Sequence, residues 1–90
     1  MKTPTIHLNG TSGEELLKNA NNAIKAAREF TTALVEIMPN ARDFYPQGEQ
    51  AAKDAQAAYL EMMQKVHDIR QELEEYRAGI STEMRKRAKK

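Results

Sequence analysis

Apolar residues recur in two long stretches of the chain, at alternating spacings of three and four residues. This spacing is typical of an α-helix that buries one side against a partner. The sequence therefore predicts an all-α fold with two amphipathic helices, about residues 13–38 and 49–79. In the first helix the repeating positions are Leu16, Ala20, Ala23, Ala27, Phe30, Leu34 and Ile37. In the second helix they are Ala52, Ala55, Tyr59, Met62, Val66, Ile69, Leu73, Tyr76 and Ile80.

Capping and turn residues set the predicted helix ends. Thr11 and Ser12 each stand three residues before a glutamate, which is the capping-box arrangement at a helix start. Pro39 predicts the end of the first helix, and Gly79 weakens the second helix near its predicted end. The connector, residues 39–48, is long enough for the helices to fold back as an antiparallel hairpin.

The N-terminal segment differs from the helices in its pattern. Residues 1–10 alternate polar and apolar side chains and finish at Asn9-Gly10, a turn signal. We expect a short extended stretch that buries Ile6 and Leu8 on one side.

Length and composition restrict the classes of protein that remain. Ninety residues make one small domain, and the lack of cysteine excludes a disulfide framework and a thiolate nucleophile. No apolar run reaches the roughly 18–20 residues of a membrane-spanning helix, which favours a cytoplasmic protein. Five of the 14 basic side chains fall in residues 85–90, whereas all 13 acidic side chains precede them. We therefore expect a domain over residues 1–84 and a flexible basic tail over 85–90.

Two helices alone leave part of each wide apolar stripe exposed, because a hairpin has no third layer. Self-association into a helical bundle is the expected remedy. Tyr59, Met62 and Met63 are the predicted interface residues, since bulky and flexible side chains suit such a surface. In the alternative, extended residues 3–8 alone cover the open side.

The connector contains the first candidate ligand-binding residues. Arg42 stands close to Phe44 and Tyr45, a combination in which a guanidinium can pair with phosphate while a ring stacks on a planar group. In the alternative, the connector is an ordered loop. Phe44 then packs on the core, and Arg42 pairs with Asp43 or a helix-end carbonyl.

The start of the first helix supplies the remaining candidates. Thr11 and Ser12 lie where free backbone N–H groups favour an anion, and Lys18 follows on an exposed side. The glycine spacing is not that of a P-loop, and helix capping alone also explains both hydroxyls. In a head-to-tail oligomer, these residues and the connector residues of the next copy would form one nucleotide-binding pocket.

Catalytic signatures are weak. His7 and His67 lie on different segments, and neither has neighbours in a metal-ligand pattern. The sequence therefore predicts a non-enzymatic protein with no catalytic residues, no metal and no cofactor.

The segments HLNGTSGEEL and PNARDFYPQG resemble those of small uncharacterised helical proteins encoded by bacteriophages and prophages. The resemblance implies a phage origin and the host-cell cytoplasm as location. In its small size and helical character the chain is similar to small oligomeric phage proteins that sequester cyclic-nucleotide signals of bacterial immunity. Our first hypothesis is therefore an anti-defence protein that holds a nucleotide-like signalling ligand between its copies.

Two other functions stay open. In the second hypothesis, the protein is an interaction module that docks on a host protein and inhibits it. The third hypothesis is nucleic-acid binding through the tail, which the acidic remainder of the chain disfavours.

Overall fold

The structure, a computed structural model, describes residues 1–88 and contains three helices and no strand in that range. Helix α1 spans Gly13–Val35, a short 3-10 helix spans Ala41–Gln47, and helix α2 spans Glu49–Ala88. The predicted all-α class is confirmed. No helix within residues 1–88 combines the length and the apolarity that crossing a membrane requires.

The two long helices pack together along α1. The Tyr59 hydroxyl donates a hydrogen bond to the Leu34 carbonyl at 3.0 Å, and Arg77 donates to Asn21 Oδ1 at 3.3 Å. Leu34 follows Asn21 along α1, whereas its partner Tyr59 precedes Arg77 along α2, so α1 and α2 run antiparallel. Helix α2 is about 60 Å long and α1 about 35 Å, which gives an elongated molecule of 66 × 18 × 17 Å.

Helix α1 begins where the sequence predicts and ends earlier. Ser12 is the N-cap, and its Oγ accepts a hydrogen bond from the Glu15 amide at 3.1 Å. The helix ends at Val35 instead of residue 38, and the Met38 amide bonds the Val35 carbonyl at 3.2 Å in a tighter turn. This turn precedes Pro39, whose ring disfavours helical geometry in the residue before it.

Helix α2 continues through Gly79, beyond its predicted end at residue 79, to Ala88. A Cβ at Gly79 would collide with the side chain of Thr3, so this glycine permits a close approach of the N-terminal segment. Residues 85–88 of the predicted tail are helical, and Arg87 Nη1 donates to the Ile6 carbonyl at 3.0 Å. Lys89 and Lys90, also part of that predicted tail, lie outside the described residues.

The N-terminal residues 3–6, called the strap below, lie along the last turns of α2. Ile6 is half-buried beside Gly13, a glycine that Met84 also approaches, as expected for an inward-facing residue. The prediction that Leu8 is buried is wrong, because its side chain is 88% exposed. A turn, closed by the Gly10 amide on the His7 carbonyl at 3.1 Å, interrupts the extended geometry before Leu8 can follow Ile6 inward.

Candidate functional site

The predicted ligand-binding residues lie at opposite ends of α1. Thr11 and Ser12 precede its first turn, Lys18 is exposed on its second turn, and the connector residues follow its last turn. The length of α1, about 35 Å, therefore separates the two groups within one chain. The two ends of α1 are described in turn.

At the connector end, the 3-10 helix packs against α2 and presents two polar groups to solvent. Its start is fixed by Asn40, whose Oδ1 accepts a hydrogen bond from the Arg42 amide at 3.0 Å. The Arg42 side chain is exposed and forms no ion pair within residues 1–88. Phe44 is half-buried, whereas Tyr45 is 71% exposed. Phe44 can therefore anchor the connector while Arg42 and Tyr45 stay accessible.

At the opposite end, an open groove of about 540 Å³ lies between the N-terminal segment and the end of α2. Ser12 lines this groove, but its hydroxyl already caps α1. Charges of both signs line the groove, because Glu14 and Arg87 both contribute to its wall. Ile6, Leu8 and Met84 make much of the remaining wall apolar.

The predicted interface residues lie in different surroundings. Tyr59 is buried inside the chain, where its hydroxyl bonds Leu34, so its ring is not available to a second copy. Met62 and Met63 are half-buried. The exposed apolar surface therefore lies elsewhere than at Tyr59.

On α1, the repeating apolar positions divide between two sides of the helix. Ala20, Ile24 and Leu34 are buried against α2, whereas Phe30 is 56% exposed. Successive residues are rotated by about 100°, which places Phe30 on a flank roughly a quarter-turn from the buried side. The spacing of apolar residues in the sequence includes Phe30 among the buried positions. It cannot distinguish the side of α1 that faces α2 from the neighbouring side that faces solvent, because both sides are apolar.

On α2, Ile69 is 53% exposed although Tyr59 and Val66 are buried. The same rotation places Ile69 on one flank of the buried side and Glu74 on the other. Glu74 Oε1 lies 3.6 Å from Arg28 Nη2, so Arg28 and Glu74 mark one side of the helix pair. On α1, Phe30 lies on the flank opposite Arg28. Phe30 and Ile69 therefore share the other side of the pair.

The apolar residues on this side of the pair are together called the open face below. Its members on both helices are half-buried or exposed. They come from the parts of α1 and α2 that the Leu34–Tyr59 and Arg28–Glu74 contacts hold side by side. The members are Ala23, Ala26, Phe30 and Ala33 of α1 and Ala58, Met62 and Ile69 of α2. The opposite side is polar, with Arg28 paired to Glu74 and Arg77 hydrogen-bonded to Asn21.

Comparisons of this chain with protein-family models, with curated proteins and with solved structures find no match.

Proposed function

We propose that the protein is a non-enzymatic binding protein, a helical hairpin that acts as a homo-oligomer. A second copy covers the open face. The single observation that supports this most strongly is the position of Phe30 and Ile69, two large apolar side chains, on one uncovered side of the pair. Contiguous exposed apolar surface is the usual mark of a protein-interaction site.

The surface area of the chain supports the same proposal. The described structure exposes 7019 Å², compared with about 5,300 Å² for a compact monomer of this mass. The excess of about 1,700 Å² is roughly twice the 800 Å² or so that each partner contributes to a standard interface. The radius of gyration, 19.5 Å, likewise exceeds the value of about 12 Å for a compact chain of this length.

Substitution of one open-face residue, with a matched control, tests the proposal. Ile69→Glu places a charge in the open face, whereas Leu60→Glu places it on the opposite side of α2, at an apolar residue that is 67% exposed against 53% for Ile69. The nine residues between them are two and a half turns. Light scattering coupled to size-exclusion chromatography should give a single-copy mass for I69E and an unchanged oligomer for L60E. An I69E chain that keeps the wild-type oligomeric mass would contradict the proposal.

Binding of a nucleotide-like ligand between copies is a second proposal, supported by the exposed ring of Tyr45 beside the exposed Arg42. An aromatic ring and a guanidinium suit a planar, phosphate-bearing ligand. Calorimetry with cyclic dinucleotides and mononucleotides should detect heat that Arg42→Ala and Tyr45→Ala abolish. No heat across this panel would end the proposal without affecting the homo-oligomer.

Docking on a host protein is the alternative use of the same open face. A wild-type chain that stays a single copy would leave this face free for a different protein. Monomeric wild-type protein would therefore favour the alternative and reject the homo-oligomer.

A further inference from the structure

The two ends of the helix pair carry opposite net charge. Residues 1–18 and 77–88, called the strap end below, are held together by the strap and by the approach of Met84 to Gly13. They contain six basic and three acidic side chains. The connector end, residues 29–61, contains two basic and six acidic side chains, and the stretches between the two ends contain four of each. The excess positive charge therefore lies at one end of an elongated molecule.

The acidic end is too far away to cancel this charge. Glu29, where the connector end begins on α1, follows Gly13 by sixteen residues, or about 24 Å at the helix rise. At physiological ionic strength, exposed charges are largely screened from one another beyond a Debye length of about 8 Å. Averaged along the sequence, the acidic side chains oppose an anionic partner, but in the folded chain most of them lie elsewhere. An anionic partner that meets only the strap end is therefore attracted to it.

The last turn of α2 carries the most accessible part of this charge. Arg85, Lys86 and Arg87 are all exposed. Within residues 1–88, Lys86 alone of the three has an acidic partner, Glu83 at 3.5 Å, and its side chain is still 68% exposed. Arg87 donates to the Ile6 carbonyl, a neutral acceptor, so this contact leaves its positive charge uncompensated. These side chains can therefore meet an anionic surface without the loss of a buried ion pair.

The strap end also carries an apolar side chain on a turn. Leu8 is 88% exposed, more than any other large apolar residue within residues 1–88. It lies in the turn that the Gly10 amide closes on the His7 carbonyl. Leu8 and Arg87 line the same groove, so the apolar side chain and the basic turn are neighbours. Peripheral binding to an anionic lipid surface uses this combination, in which an apolar side chain inserts and basic side chains meet the headgroups.

We propose that the strap end is a docking surface for an anionic lipid membrane. Leu8 inserts at the headgroup level, and Arg85, Lys86 and Arg87 contact the acidic headgroups. The acidic connector end, at the other end of a molecule 66 Å long, stays away from the membrane. A nucleic acid fits less well, because its phosphate backbone offers Leu8 no apolar partner and the strap end has no Phe, Tyr or Trp to stack on a base. The proposal goes beyond the homo-oligomer and does not depend on it.

Tryptophan fluorescence tests the insertion of Leu8. The chain contains no tryptophan, so Leu8→Trp gives a signal from this position alone. Leu60→Trp is the matched control, at a leucine of α2 that is 67% exposed and lies outside the strap end. With vesicles of phosphatidylcholine and phosphatidylglycerol in equal parts, the emission of L8W should shift to shorter wavelength and that of L60W should not. An L8W emission that the vesicles leave unchanged would overturn the proposal.

Co-sedimentation with the same vesicles tests the basic side chains. Arg85→Gln combined with Lys86→Gln should weaken binding about 25-fold, since each basic side chain near an anionic surface contributes roughly five-fold. Lys53→Gln combined with Lys65→Gln is the control, because both residues are exposed and lie outside the strap end. This control should bind like the wild type. Equal losses in the two double variants, or equally strong binding of the wild type to vesicles of phosphatidylcholine alone, would contradict the proposal.

A duplex DNA, used as a second probe, separates a membrane from a nucleic acid. Wild-type protein that binds the DNA but not the anionic vesicles would overturn the membrane and identify a nucleic acid as the partner. Binding to the vesicles that Leu8→Ser weakens at least about ten-fold, the effect of removing one buried leucine side chain, would support the membrane. The oligomeric mass is not a readout in any of these experiments, so their failure leaves the proposed homo-oligomer in place.

Discussion

Ile80 and Ile69 are the same residue type on nearly the same side of α2, eleven residues or about three turns apart. Both lie beside α1, yet Ile80 is fully buried and Ile69 is half exposed. We attribute the difference to the strap, which contacts α2 at Gly79 and at Arg87, on either side of Ile80 in sequence. Helix periodicity therefore determines which side is apolar, whereas a segment remote in sequence determines how much of that side is covered.

The largest expected effect is at the covered end. Ile80→Ala should lower the free energy of unfolding by about 3 kcal/mol, because it leaves a cavity in a fully buried site. This loss should not depend on protein concentration, since Ile80 is buried within one chain. Urea unfolding at two protein concentrations measures it. Ile69→Ala is the matched comparison, and its effect should grow with concentration because a second copy covers that residue. If Ile80→Ala and Ile69→Ala lowered the free energy of unfolding equally at both protein concentrations, Ile69 would not be covered by a second copy.

The next effect concerns the contact between strap and helix. Gly79→Ala should destabilise the chain by about 1 kcal/mol, because the new Cβ collides with Thr3. In a Thr3→Gly background the same substitution should stabilise the helix by about 1 kcal/mol, the usual advantage of alanine over glycine. Thermal unfolding of the four chains measures this reversal of sign. A stabilising Gly79→Ala in the wild-type background would show that the strap does not lie on this position.

An effect of similar size is expected where the two helices share a hydrogen bond. Tyr59→Phe removes the hydroxyl that donates to the Leu34 carbonyl and should cost about 1 kcal/mol of unfolding free energy. Tyr76→Phe is the control, since the Tyr76 hydroxyl has no hydrogen-bond partner within residues 1–88. Chemical unfolding compares the two. If both substitutions had the same small effect, the described contact between Tyr59 and α1 would be incorrect.

The smallest effect is expected on the polar side of the helix pair. Arg28→Ala breaks the pair with Glu74, but the side chains of Arg28 and Glu74 are 60% and 38% exposed, so the loss should stay below about 0.5 kcal/mol. It should also leave the oligomeric mass unchanged. A change of mass in R28A would show that the polar side, rather than the open face, meets the second copy.

The fold could be predicted from the sequence as far as local chemistry determines it. Apolar spacing predicted two packed helices, and the hydroxyl of Ser12 predicted the start of α1. The end of α2 could not be found in the same way, because Gly79 was interpreted as a helix-weakening residue and its contact with Thr3 is invisible along the chain. Leu8 was misplaced because a turn interrupts the alternation at that point.

The candidate site was predicted less completely. The accessible Arg42 and Tyr45 follow from their place in the connector. The open face does not, because the spacing treats Phe30 and Leu34 as equivalent, and only the rotation of α1 against α2 separates the exposed from the buried one. Tyr59 was predicted at an interface for its size, yet its hydroxyl is satisfied inside the chain.

Sedimentation equilibrium of the wild-type protein over a wide concentration series tests the central claim, that a second copy covers the open face. The account predicts a mass of twice 10.2 kDa over the upper part of the series, with dissociation on dilution. A mass of 10.2 kDa that persists to the highest concentration would contradict it.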